Sequence, residues 1–313
     1  EWHTPRIEIS VITNDRPKSL QRLLSSLDNA LYFGDRVSVT IHLEQTADSR
    51  TRALADSYRW EHGDVHLRHR VVLGGLLPAV VESWYPHTNN SYAIILEDDI
   101  ELSPLFYAWA KCTPYLSQTP CSWGAVYFPE HWREFHSYLN VRLSEATRDI
   151  SDIIVPDLRS NRWAKSWKRF FNELVFLRGY VMLYPNFDDF VSLSTNHFEL
   201  GSHVQNDSRT AFEKKKRQFE VPLMALPSVD STARKTKLLD VPHATLPVQE
   251  DLPILDLWGR LATQDIILQR GSKRYRQISY CNTNALPYPH DGTSLLCSKP
   301  ASTSSIKEDT PEV

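Results

Sequence analysis

Tyr92-Ala93-Ile94-Ile95-Leu96-Glu97-Asp98-Asp99-Ile100-Glu101-Leu102-Ser103-Pro104-Leu105-Phe106 decides the reading of this chain. The continuous apolar run Tyr92 to Leu96 suits a strand buried on both faces of a mostly parallel sheet. Ser103 followed by Pro104 predicts an N-cap with proline in the first helical position, opening a helix over Leu105 to Lys111. Ligands of open α/β sheets sit beyond the carboxyl ends of the strands, and Glu97, Asp98 and Asp99 fall there. Three adjacent acids repel one another and lose hydration, so a divalent cation is the natural compensation. Such a cation, with open positions, is completed by phosphate oxygens, which points to a nucleotide-diphosphate substrate. The competing reading is a solvated acidic turn; the buried strand before it and the capped helix behind it weigh against that.

Working outward, strand and helix alternate over the first 110 residues. Ile7 to Thr13 is a β-rich segment, followed by the turn Asn14-Asp15-Arg16-Pro17 and by Leu20, Leu23, Leu24 and Leu27 at helical spacing. Arg36 to Leu43 predicts a second strand that ends in Glu44, with a polar helix through about Trp60 behind it. Val65 to Val72 predicts a third strand leading through Gly74-Gly75 into a helix from Leu76 to Trp84. This alternation predicts βαβ units, hence a mixed α/β fold with a mostly parallel sheet flanked by helices.

The 313 residues carry a formal charge of -3, which gives no global reason to invoke nucleic acid or an anionic membrane. The basic run Lys214-Lys215-Lys216-Arg217 is most simply a solvated face. No apolar stretch reaches the roughly 18 residues of a membrane span, although a chain opening at Glu1-Trp2-His3 leaves room for a removed N-terminal anchor. The four cysteines form two local pairs, Cys112 with Cys121 and Cys281 with Cys297, without zinc-ligand spacing; disulfides within each pair and four free thiols stand equal. Asn89-Asn90-Ser91 and Asn206-Asp207-Ser208 are glycosylation acceptors that lean toward a lumenal setting. Neither GxGxxG nor GxxxxGK[ST] occurs, so a dinucleotide or P-loop enzyme is disfavoured, as are GxSxG and HExxH hydrolases.

Beyond Cys121, Trp123 to Phe128 predicts a strand, and an aromatic segment with Trp132, Phe135, His136, Tyr138, Trp163, Trp167, Phe170 and Phe171 supplies core or sugar-stacking faces. Phe176 to Tyr184 predicts a strand containing Gly179. Asn186-Phe187-Asp188-Asp189-Phe190 sets two acids among aromatics, where desolvation tunes a carboxylate toward general-base work; an acidic helix start is the equal alternative. His197, His203 and His290 are each more simply ordinary residues than ligands. Leu255 to Gln269 predicts a last helix, and Ser298 to Val313 a disordered tail.

With these residues in hand, the chain resembles the GT-A nucleotide-sugar glycosyltransferases, in particular the group around N-acetylglucosaminyltransferase I. Two segments carry the likeness: Ile12-Thr13-Asn14-Asp15-Arg16-Pro17 and the Glu97-Asp98-Asp99 element with its following Pro104 and Phe106. The resemblance implies that Asp99 binds Mn2+ (or Mg2+), that Glu97 and Asp98 face the donor ribose and sugar, and that Arg16 contacts the nucleotide. Glu44 falls where the family has a uracil-reading aspartate. Asp188 and Asp189 fall on an aromatic-Asp-Asp-aromatic element that supplies the catalytic base, and Gly201-Ser202-His203 is similar to a later loop.

On that basis residues 1–297 form one GT-A catalytic domain, with 1–120 binding the nucleotide-sugar and 121–297 the acceptor, and 298–313 a tail. The expected activity is inverting transfer from a UDP-sugar to a glycan or other hydroxyl acceptor in the Golgi or ER lumen. A sugar nucleotidyltransferase and a catalytically silent GT-A domain that binds glycan or protein are the alternatives.

Overall fold

The computed structural model of the chain describes residues 6–109, 114–121, 124–147, 150, 152–185, 191–199, 209–225, 248–281 and 289–297. The first half runs β1 (Arg6–Thr13), α1 (Pro17–Asp28), β2 (Ser38–Leu43), α2 (Ser49–Ser57), β3 (Val65–His69), α3 (Leu76–Val81) and β4 (Ser91–Glu97). It continues through β5 (Ile100–Leu102), α4 (Phe106–Trp109), β6 (Pro114–Ser117), β7 (Val126–Tyr127), α5 (Pro129–Arg142), α6 (Trp167–Arg178) and β8 (Met182–Pro185). The remainder is β9 (Ser194–Asn196), α7 (Arg209–Phe219), β10 (Ile254–Leu255), β11 (Leu261–Ala262) and α8 (Gln264–Ile278).

The central sheet has the order β3-β2-β1-β4-β7, with β1 to β4 mutually parallel and β7 antiparallel against β4. The fold is therefore mixed α/β, with a mostly parallel sheet and helices on both faces. From β1 the chain steps outward to β2 and β3, then returns to the other side of β1 for β4. The strand order reverses at β1 and β4, whose carboxyl ends lie side by side, and the crevice in which open α/β sheets take ligands lies beyond such ends.

Side-chain alternation along β4 explains why the sheet is covered twice. Ala93 and Ile95 join a core with Val80, Trp132, Phe135, Trp167, Phe171 and Tyr275, from α3, α5, α6 and α8. Ile94 and Leu96 join a second core with Ile9, Val11, Leu20, Leu23, Leu27 and Phe106, from β1, α1 and α4. The leucine spacing of α1 is borne out, since Leu20, Leu23, Leu24 and Leu27 are all buried. A smaller sheet, β11-β10-β6-β8, and a ribbon of β5 with β9 complete the strands. The ribbon pairs Ile100 with Asn196 and Glu101 with Thr195, which brings residues 194–199 beside the acids.

Several sequence expectations are corrected. Phe176 to Tyr184 is not one strand: α6 runs to Arg178, Gly179 ends it in the left-handed region at φ 67°, and β8 begins only at Met182. Residues 170–177 of α6 are all buried, so the helical alternation that marks an amphipathic helix is washed out. Within the predicted strand at Trp123 to Phe128, Trp123 lies outside the described residues, Val126–Tyr127 forms a strand, and Phe128 instead precedes Pro129 at the start of α5. The last helix is Gln264–Ile278, capped by the Thr263 side chain, and the residues before it form β10 and β11. Ser103 does cap, its hydroxyl accepting from the Leu105 N–H, but the helix behind it begins at Phe106. The second strand begins at Ser38, the third stops at His69 and α3 at Val81.

Cys281 and Cys297 are joined in a disulfide; the other predicted pairing involves Cys112, outside the described residues. Helices α6 and α8 meet at Gly271, where an added Cβ would lie 2.4 Å from the Phe176 carbonyl oxygen and 2.8 Å from that of Leu177. Gly271→Ala must push the two helices apart, and we expect it to cost about 1–3 kcal/mol. A urea titration reads this as a lower midpoint; an unchanged midpoint would contradict the packing.

Candidate active site

The register between β1 and β4 sets Ile12 opposite Glu97 and so brings Thr13 to Asp98. The Asp98 N–H donates to the Ile12 carbonyl at 3.1 Å, extending the ladder one residue past the strand. The Thr13 hydroxyl donates to Asp98 Oδ2 at 2.8 Å, and an Arg16 Nη lies 2.7 Å from Asp98 Oδ1. Asp98 is 1% exposed, so a buried carboxylate is held by a hydroxyl and a guanidinium from the start of α1. The other Nη of Arg16 lies 3.4 Å from Asp99 Oδ2 and 3.6 Å from Glu199.

Asp99 is set by the β5–β9 ribbon. Its carbonyl accepts from the His197 N–H at 2.8 Å, and its Oδ1 accepts from the Asn196 amide at 3.1 Å. Its carboxylate is more exposed than that of Asp98, 19% against 1%. Glu199 ties the ribbon to α1, accepting from the Ser19 hydroxyl at 2.6 Å and from Arg22 at 2.7 Å. His197 is clasped between Glu101 at 2.5 Å and Glu220 at 3.1 Å.

Alternation sends Glu97 toward the α6 face of the sheet. Burial, then the Asp99 and Asp98 charges, push its carboxyl up to about 7, against the pull of Arg16 and Lys168. Asp98 is pushed up to about 6, burial outweighing Arg16 and the Thr13 bond; Asp99 is raised by burial as well. The site is thus overloaded with negative charge. Among the described residues no group of three or more His, Cys, Asp or Glu is arranged to hold a metal ion. The donor set nevertheless fits a hard, oxygen-liganded cation that takes Asp99 from the protein and the rest of its oxygens from ligand and water.

Glu44 lies on the β2 side of the crevice. Its carboxylate accepts from the N–H groups of Gln45 at 2.8 Å, Gly74 at 3.3 Å and Gly75 at 2.9 Å. Burial works to raise its pKa, but those amides and Arg70 hold it below the ordinary carboxylate value. Glu44 borders a cleft of about 230 Å³ whose walls include Thr13, His42, Arg68, Arg70 and Glu82. Thr13 lines this cleft and also holds Asp98, so one residue links the cleft wall to the acid turn.

The structure therefore gathers Arg16, Asp98 and Asp99, sets Glu97 on the opposite sheet face, and puts Glu44 in an adjoining cleft. Asp188, Asp189 and His203 lie outside the described residues. His290 is elsewhere, 4.0 Å from Glu134 of α5. Sequence reasoning did not single out Thr13, Lys168, Asn196 or Glu199. Ser19 and Arg22, three apart on α1, were the available signal that this helix turns a polar face to something charged.

A family model described as the SPBC1E8.03c C-terminal domain matches residues 18–113 and 110–148. No curated protein matches the chain. Among solved structures, the chain is similar to S. aureus TarS 1-349, at 14% identity and a TM-score of 0.28, over 34% of this chain and 31% of that one. It is similar to the same protein in complex with UDP-GlcNAc, at 14% identity and 0.28, over 34% and 30%. It is also similar to the mannosyltransferase PcManGT from Pyrobaculum calidifontis in complex with GDP-Man and Mn2+, at 16% identity and 0.28, over 36% and 34%. The chain spans about a third of the length of these structures.

A glutamate that titrates near 4.5 unfolded and about 7 folded keeps its proton in the native state while the unfolded chain releases it. Stability from this group therefore falls as pH rises between those values and stays low above them. We expect Glu97→Gln to stabilise the metal-free protein at pH 8 by on the order of 1–3 kcal/mol and to match wild type near pH 4. Urea titrations at the two pH values check this; an equal effect at both would contradict it.

Proposed function

We propose that this chain is a metal-dependent, inverting GT-A glycosyltransferase that moves a sugar from a nucleotide-diphospho-sugar, a UDP-sugar by expectation, to a glycan or other hydroxyl acceptor. The observation that carries this is the meeting of Arg16 with Asp98 and Asp99 across the β1–β4 reversal, next to the cleft that Thr13 and Glu44 line. Asp99, the more open of the two aspartates, holds the cation. Mn2+ or Mg2+ bound there supplies neutralisation of the charge that develops on the leaving diphosphate.

The chain's own residues do the rest. Thr13 and Arg16 fix Asp98, which faces the donor, while Glu97, turned to the α6 face of the sheet, does not share that position, and Arg16 steadies the nucleotide end. Asp188 or Asp189, which follow β8 in sequence, takes the proton of the acceptor hydroxyl as it attacks the anomeric carbon from the face opposite the leaving group. Residues 1–120 serve the donor and 121–297 the acceptor. The Cys281–Cys297 disulfide supports an oxidising compartment, for which we propose the secretory pathway lumen.

One observation favours a second reading, a catalytically silent domain: the Arg16 guanidinium already neutralises part of the acid turn without a cation. Thermal unfolding with UDP- and GDP-sugars, with and without Mn2+, together with donor hydrolysis, separates the two. An active transferase shows metal-dependent stabilisation and turnover; a silent domain shows the first alone. Asp99→Ala should lower turnover at least about 100-fold while the apo melting curve stays cooperative. Full activity in that variant would overturn the scheme.

A further inference from the structure

The cleft between β1, β2, β3 and α3 is lined by a residue with a polar atom that the folded chain leaves unmet. His42 lies on β2 and is 8% exposed, yet its Nε2 is buried with no hydrogen-bond partner. A buried polar atom without a partner costs stability, and a cleft wall is where a ligand repays that cost. Arg68 is the register neighbour of His42 on β3 and lines the same cleft. Arg70 lines it too, but is engaged: its Nη2 lies 2.8 Å from Glu82 and its Nε 3.8 Å from Glu44 Oε1.

Glu44 is spent as well. Three backbone N–H groups fill its carboxylate, two of them from the Gly74–Gly75 turn that packs beneath the Arg70 guanidinium. A Cβ at Gly74 would come within 2.8 Å of Arg70 Nε, so this turn and Arg70 are fitted to each other.

We propose that His42, flanked by Arg68 and Arg70, reads the hydrogen-bonding edge of the donor's nucleobase, and that Glu44 holds the Gly74–Gly75 turn without reading the base. This rests on the nucleotide-sugar reading above and assigns base selectivity to a residue other than the one the family likeness suggests. Burial and the charges of Arg68 and Arg70 hold the imidazole down to about 4, so it is neutral at physiological pH and offers a lone pair. A lone pair in the cleft wall matches a base edge that presents a ring N–H. Uracil has that N–H; cytosine, of the same size, has a bare ring nitrogen in its place, so two lone pairs would meet. Guanine's paired N–H donors find no open carboxylate because Glu44 is occupied.

UDP and CDP, titrated calorimetrically in the presence of MnCl2, test this without a change in ligand size. Wild type should bind UDP about ten-fold or more tighter than CDP. His42→Ala should bring the ratio to within about two-fold, and His42→Asn, which keeps a hydrogen-bonding group, should restore part of it. Glu44→Gln retains a carbonyl for the turn and should keep the wild-type ratio. Cooperative apo melting confirms that each variant is folded. An unchanged UDP-to-CDP ratio in His42→Ala, or its loss in Glu44→Gln, overturns the assignment while the nucleotide reading stands. If wild type binds neither nucleotide nor GDP, the nucleotide reading falls and this assignment with it.

Discussion

The Arg16 guanidinium, closed on the buried carboxylate of Asp98 and reaching Asp99, is the contact on which the site depends. The parallel pairing of β1 with β4 delivers an arginine from one strand end and an acid triplet from the other to the same point. Removing one partner of such a buried pair leaves the other charge uncompensated, a loss of about 3–5 kcal/mol. The same arginine reaches Glu199, which Ser19 and Arg22 hold in turn. The start of α1, the end of β4 and the β5–β9 ribbon are thereby tied into one polar unit at the mouth of the crevice.

That unit has a consequence for chemistry. Glu97, Asp98, Asp99 and Glu199 outnumber Arg16 and Arg22, and burial makes each uncompensated charge costly, as the raised pKa values of Glu97 and Asp98 express. A bound cation would invert this, since a divalent charge favours the ionised carboxylates it touches. On our proposal the metal-free protein is held below its best stability by its own site, and ligand binding relieves the repulsion.

What could be seen in the sequence was what local pattern determines. The run Tyr92–Leu96 is apolar, and Ile9, Val11 and Ile12 are buried, because both faces of β1 and β4 are covered; the four leucines of α1 follow the helical period because only one face is. The acid triplet was visible for the same reason: polarity starts where the strand leaves the core. Helix α6 was misread because nearly all of it is buried, and Gly179 was taken for a strand residue when Arg178 followed by glycine is a helix end. Helix α5 carried its own signal, Pro129 at the start with Trp132, Phe135, Tyr138 and Leu139 at helical spacing. The Gly74 partner of Glu44 and the Arg22 partner of Glu199 were not visible at all, because sequence pattern does not report which amides or guanidiniums a fold brings from 30 or 177 residues away.

The central claim is that nucleotide and cation meet at the β1–β4 reversal, with Asp99 as the protein's ligand to the metal. A crystal structure grown with UDP and Mn2+, with diffraction measured at the manganese absorption edge, addresses it directly. The account predicts an anomalous peak in coordination contact with the Asp99 carboxylate and with diphosphate oxygens, and a base in the cleft beside His42. A manganese peak away from Asp99, or a nucleotide bound outside the crevice between β1 and β4, would contradict it.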